Sequence, residues 1–242
     1  MYRLLLPLIA LGILLAPPAF GFFDVLENLQ QELTEEPPES NALDLDDLIH
    51  ELEETTQTTP VSFTDVPDSA WFASAVSAVS GRGIVSGYKD KAGNPTGTFG
   101  PANPVTIAEM LKMAYNAAGK DVATCRSYVS LSQAASHWAK SYVACAEEDG
   151  MRVLRSNIDL NRGATRAEVL AILHDAFGRL VPAVSSPFSD TAGNPYAPDI
   201  GLAASEGVVT GDKKEDGTPK GTFRPNDGVN RAEAAQIIFK SL

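Results

Sequence analysis

The sequence predicts an all-α protein, and three observations carry that expectation. Thr106, Thr165 and Asn230 each stand three residues before a glutamate, Glu109, Glu168 and Glu233. This is the spacing of a capping box, in which the first side chain takes the N3 amide and the glutamate returns to the N-cap amide. Behind each box apolar residues recur at helical spacing: Met110, Leu111, Met113 and Ala114; Val169, Leu170, Ile172 and Leu173; Ala234, Ala235, Ile237 and Ile238. The unit also occurs three times, which marks a repeat architecture whose units bury their apolar faces against one another.

Capping explains the threonine, asparagine and glutamate of each box but not the arginine. Arg166 and Arg231 occupy the first helical position, beside the positive end of the helix dipole, where a cation is mildly unfavourable. Free amides at a helix start plus a guanidinium form a site for a carboxylate or phosphate. The competing account is an arginine folded onto a neighbouring carboxylate.

From the start, Met1-Tyr2-Arg3 leads into an apolar run, Leu4 to Ala16, and then Ala19-Phe20-Gly21. A basic start, a short apolar stretch and small residues at −3 and −1 predict a secretory signal peptide over 1–21. The run is short for a membrane span; an uncleaved anchor is the alternative. Residues 22–60 form an acidic spacer. Between 24 and 60 lie acidic side chains with no Lys or Arg, and they account for the whole net charge of −12. Leu26, Leu29 and Leu33, then Leu45, Leu48, Ile49 and Leu52, outline two short helical stripes around Pro37-Pro38. The segment reads as a solvated spacer, with a docking helix for surface-protein cargo as the sharper reading of 24–60. A neutral repeat region behind an acidic leader argues against nucleic acid as a partner.

The repeats are expected at 62–121, 122–182 and 183–242. The first opens Phe63-Thr64-Asp65-Val66 with Trp71 six residues past the aspartate; the third opens Phe188-Ser189-Asp190-Thr191 with Tyr196 at the same distance. The second has a degenerate start, Tyr128-Val129-Ser130-Leu131, but keeps His137-Trp138. Each opening leads into a helix-like segment and then a glycine turn. Gly83-Ile84-Val85-Ser86-Gly87 matches Gly207-Val208-Val209-Thr210-Gly211, and Gly97-Thr98-Phe99-Gly100-Pro101 matches Gly221-Thr222-Phe223-Arg224-Pro225.

Taken together, Phe-x-Asp-Val, the tryptophan six residues on, Gly-Ile-Val-x-Gly-Tyr, Thr-Phe-x-Pro and Thr-Arg-Ala-Glu resemble S-layer homology (SLH) domains. Three copies cover about residues 62–242. The resemblance implies three tandem helical repeats in a pseudo-threefold assembly around a central three-helix bundle. It also implies non-covalent attachment to an acidic, often pyruvylated, secondary wall polysaccharide or peptidoglycan-linked glycan, at the cell surface, wall or S-layer. Carried across, it points to Arg166 and Arg231 as holders of a ligand carboxylate and to Asp65 and Asp190 as the opening acids. Trp71 and Tyr196 become the aromatic wall, and Gly87 and Gly211 the turn glycines that admit a sugar. The competing roles are core packing for Trp71 and helix N-capping for the two aspartates.

Departures from the pattern predict fewer than three working pockets. Ile107 replaces the arginine in the first repeat, the second has lost its opening aspartate, and Asp212 stands where tyrosine is expected. Cys125 and Cys145, the two cysteines of the chain, form a disulfide in an oxidising compartment or two small buried hydrophobes in a reducing one. An enzyme is the rival class. His50, His137 and His174 are scattered without zinc-site spacing, and no nucleophile elbow or phosphate loop occurs. The expectation is a non-catalytic wall-binding protein with no cofactor and no metal. A surface-layer structural or adaptor protein, and a glycan hydrolase using Glu168 and Glu233, are the alternatives.

Overall fold

The computed structural model describes residues 61–154 and 158–242, and they are helical. The signal peptide and acidic spacer expected over 1–60 lie outside the described residues. Six α-helices follow in order: α1 (Ala73–Gly81), α2 (Ile107–Ala117), α3 (Lys140–Glu148), α4 (Arg166–Ala176), α5 (Ala197–Ser205) and α6 (Arg231–Ser241). Two short 3₁₀ turns, Val122–Thr124 and Ser132–Ala134, precede α3. No helix among the described residues is long and apolar enough to cross a membrane.

Capping boxes open α2, α4 and α6, with Thr106, Thr165 and Asn230 taking the N3 amides and Glu109, Glu168 and Glu233 closing back. The next two amides of each helix find partners in another repeat. Ile107 and Ala108 donate to the carbonyls of Arg162 and Leu160, Arg166 and Ala167 to those of Asp227 and Pro225, and Arg231 and Ala232 to those of Asn103 and Pro101. Every amide that an α-helix start leaves without an intrahelical acceptor is thereby satisfied. The free amides expected at the helix starts are therefore not available to an anion.

The same interlock closes on itself. Val105 N–H donates to the Val229 carbonyl, Val229 N–H to the Ala164 carbonyl and Ala164 N–H to the Val105 carbonyl, at 2.8–3.1 Å. All three residues are buried. Around this ring α2 packs on α4 and α4 on α6, while each shorter helix lies on the capped helix of a different repeat: α3 on α2, α5 on α4, and α1 on α6. The first and last helices of the described region are thus in contact. The core they enclose is aliphatic, with Phe99, Tyr115 and Phe223 as its largest fully buried rings.

The opening of the second repeat is held differently from the other two. In the first, Asp65 accepts hydrogen bonds from the Phe99 and Gly100 amides, both at 2.7 Å. In the third, Asp190 accepts from those of Phe223 and Arg224. In the second, where that acid is missing, Glu147 of α3 accepts from the Ser130 and Leu131 amides at 2.7 Å. A Cys125–Cys145 disulfide joins the same opening to α3.

Candidate functional site

Two grooves collect the arginines. The first is lined by the turn Gly83–Lys89, by Glu109, Lys112, Met113 and Asn116 of α2, by Trp138 and by Arg231. The second is lined by Val208–Gly211, by Glu233, Gln236, Ile237 and Lys240 of α6, by Trp71 and by Arg166. Each groove draws its floor from one repeat, its tryptophan from a second and its arginine from the third. Trp71 and Trp138 are exposed, at 64% and 57%, so neither is a core residue and both present an indole face to solvent. The grooves measure about 240 Å³ and 350 Å³, the first below and the second at the lower end of the range of ligand pockets.

The arginines are fixed before any ligand arrives. Arg231 donates from Nε to the Phe99 carbonyl at 2.8 Å and from Nη2 to the Ser86 carbonyl at 2.9 Å. Its guanidinium lies 4.7 Å from the Phe99 ring and 5.0 Å from the Tyr88 ring. Arg166 repeats the motif, with Nε on the Phe223 carbonyl at 2.8 Å and the ring of Phe223 at 4.6 Å. These contacts give the arginines a structural role that capping logic lacks: each ties the loop of another repeat to its own helix start. Carbonyl oxygens and ring faces also leave the positive charge uncancelled. Among the described residues Arg231 has no salt bridge, whereas Arg166 Nη1 stands 3.8 Å from Glu233. Burial pushes the Arg166 pKa down, with Glu233 opposing. A buried, preoriented guanidinium beside an aromatic face suits a carboxylate carried on a sugar ring.

Of the other sequence-predicted residues, Gly87 and Gly211 line the grooves, and their glycine identity has a packing cause. A Cβ at Gly87 would lie 2.6 Å from the Phe63 ring and 2.7 Å from the Thr98 carbonyl; at Gly211 it would lie 2.4 Å from Phe188 and 2.7 Å from the Thr222 carbonyl. Asp65 and Asp190 line neither groove and do not cap the helices that follow them. They bind the loop whose phenylalanine carbonyl receives the arginine, so they position Arg231 and Arg166 at one remove. Burial pushes the Asp65 carboxyl up, but the amides of Phe99 and Gly100 outweigh it and hold the pKa below the ordinary value.

Tyr196 does not form an open aromatic wall. It is buried at 8% exposure, with the Arg152 guanidinium 5.9 Å from its ring. The residue six past the opening aspartate becomes the N-cap of α5, while Phe72, one residue beyond Trp71, is the N-cap of α1. The one-residue slip turns the ring inward. Arg152 itself is engaged by Asp199, through Nη1 and Nη2 at 2.8 and 2.7 Å, and by Asp175, through Nε at 2.9 Å. His174 shares the wholly buried Asp199 at 2.9 Å. The third position therefore carries a filled ionic cluster on the second repeat and a buried Ile107 from the first, where the other two positions have a groove lined by an arginine.

Trp138 is the residue that sequence reasoning passed over as a site. Its signal was present: Trp138-Ala-Lys-Ser141 has the spacing of Trp71-Phe-Ala-Ser74 at the start of α1. Tyr88 is a second, and its exchange is paired. Tyr88 packs against Gly100, where a Cβ would meet its ring at 2.4 Å. In the third repeat Asp212 and Arg224 take these two positions and form an ion pair at 2.9 Å.

Comparison with known proteins finds sequence matches within this region. The S-layer homology domain model matches residues 62–91 and 216–235. The middle cell wall protein of Brevibacillus brevis is 31% identical over 115 residues, 48% of this chain and 9% of the relative. An uncharacterized cell wall amidase of Bacillus anthracis is 28% identical over 185 residues, 74% of this chain and 32% of the relative. The chain thus spans less than a third of the length of either relative. S-layer homology domain sequence is thus matched at both ends of the interlocked region, and both relatives are described as cell wall proteins.

Proposed function

We propose that the repeats attach this cell-surface, wall-associated protein non-covalently to a carboxylate-bearing wall polysaccharide, with one acidic sugar in each groove. The observation that carries this reading is Arg231: a buried guanidinium, oriented by two carbonyls, lining a groove with Trp138 and making no salt bridge among the described residues. The closed ring of Val105, Ala164 and Val229 supports a pseudo-threefold arrangement in which two positions bind and the third is filled. We read the grooves as binding sites, not hydrolytic ones. Glycoside hydrolysis by paired carboxyl groups needs two of them flanking the bond. Each groove has a single acid in its lining, Glu109 or Glu233, and each is committed to a capping box.

Sedimentation of the protein with purified wall tests the reading, before and after the acidic polysaccharide is chemically removed. Retention is expected to vanish with the polysaccharide and to fall about tenfold or more for Arg231→Ala, on the scale of a lost charge-assisted hydrogen bond. Retention indifferent to both would refute it and favour a protein partner.

A further inference from the structure

The two grooves differ in what their capping glutamate does. In the first, the Thr106 hydroxyl and amide both donate to the same Glu109 oxygen, at 2.9 and 2.8 Å, and this pulls the carboxylate back onto the cap. In the filled second repeat, Arg162 grips Glu168 through two nitrogens at 2.8 and 2.5 Å. The third cap is Asn230, whose amide N–H donates to Glu233 at 3.0 Å. Its side-chain oxygen is spent accepting the Glu233 N–H, and no hydroxyl is present to restrain the carboxylate. Glu233 is the glutamate that stands 3.8 Å from its groove's arginine. Nearby, Asp212 replaces the tyrosine ring that covers Arg231 in the other groove, and its charge is taken up in an ion pair with Arg224 at 2.9 Å, which leaves Glu233 as the carboxylate that faces Arg166.

We propose that Glu233 is a built-in competitor in the Arg166 groove, so that the Arg231 groove binds a sugar carboxylate first. The identity of the cap residue, threonine or asparagine, sets which groove is open. This rests on the carboxylate reading of the grooves. An incoming carboxylate meets at Arg231 a guanidinium that makes no salt bridge among the described residues, Asp65 acting on it only at longer range, but at Arg166 it displaces or is repelled by a carboxylate already present. Asn230 caps the helix as well as threonine does, so the exchange alters the groove without weakening α6.

Side-chain NMR resolves the two sites, because the Nε–H groups of Arg166 and Arg231 are each held by a carbonyl. The native chain, Asn230→Thr and Glu233→Gln are titrated with a methyl hexoside carrying a pyruvate ketal. In the native chain the Arg231 signal is expected to respond at lower concentration than that of Arg166. Both substitutions should lower the Arg166 midpoint about threefold, the scale of a partly exposed ion pair, and leave the Arg231 midpoint in place. Coincident midpoints in the native chain, or an Arg166 midpoint that neither substitution moves, would overturn the proposal. Silence at both arginines would refute the carboxylate reading itself. If Glu233→Gln disturbs the helix, Asn230→Thr decides, since it keeps both cap and carboxylate.

Discussion

Tyr88 and Gly100, against Asp212 and Arg224, show how a pair of positions can change chemistry together. Gly100 is left-handed at φ 72°, and any side chain there would strike Tyr88 and Asn103. Arg224 takes the same backbone conformation at φ 57°, a strain that a non-glycine residue tolerates here because its guanidinium pairs with Asp212 and Asp227. Sequence comparison alone marks Asp212 as a departure from pattern but gives no reason for it; the reason lies twelve residues away. Gly100→Arg is expected to destabilise the protein by about 2 kcal/mol or more through overpacking. The double change Tyr88→Asp with Gly100→Arg should recover much of that loss in thermal melts. Equal destabilisation of single and double variants would mean that the pair is not coupled.

The six helices divide by how their starts are satisfied, and that division explains what was legible. The three long ones announce themselves, because capping boxes and apolar spacing are local properties that a stretch of about eleven residues displays. The amides at their first two positions were unreadable, since their partners are carbonyls more than fifty residues away, and the anion site expected at those amides disappeared with them. The shorter helices α1, α3 and α5 have no side-chain cap bond and were visible only as segments after each opening. Thr165→Ala should cost about 1 kcal/mol in chemical denaturation, and Thr165→Asn should restore it. No loss on the alanine change would mean that the inter-repeat bonds alone hold the start of α4.

Across the full set of repeats, the proposed grooves depend on contacts that no single repeat contains. The arginines and Trp71 could be picked from motif matching, yet their grouping could not. Arg231 meets Trp138 and the Gly83–Lys89 turn, while Arg166 meets Trp71 and the Val208–Gly211 turn, because α1 lies against α6 and the ring closes. Tyr196 was misplaced for the complementary reason: counting from the aspartate ignores where the helix starts. A double-mutant cycle tests this grouping most directly, with calorimetry on acidic polysaccharide fragments too short to span both grooves. Trp138→Ala and Arg231→Ala, which share a groove, should couple by about 1 kcal/mol, whereas Trp138→Ala and Arg166→Ala should add to within about 0.5 kcal/mol. Additivity of the first pair, or coupling of Trp138 to Arg166 in its place, would contradict grooves assembled from three repeats.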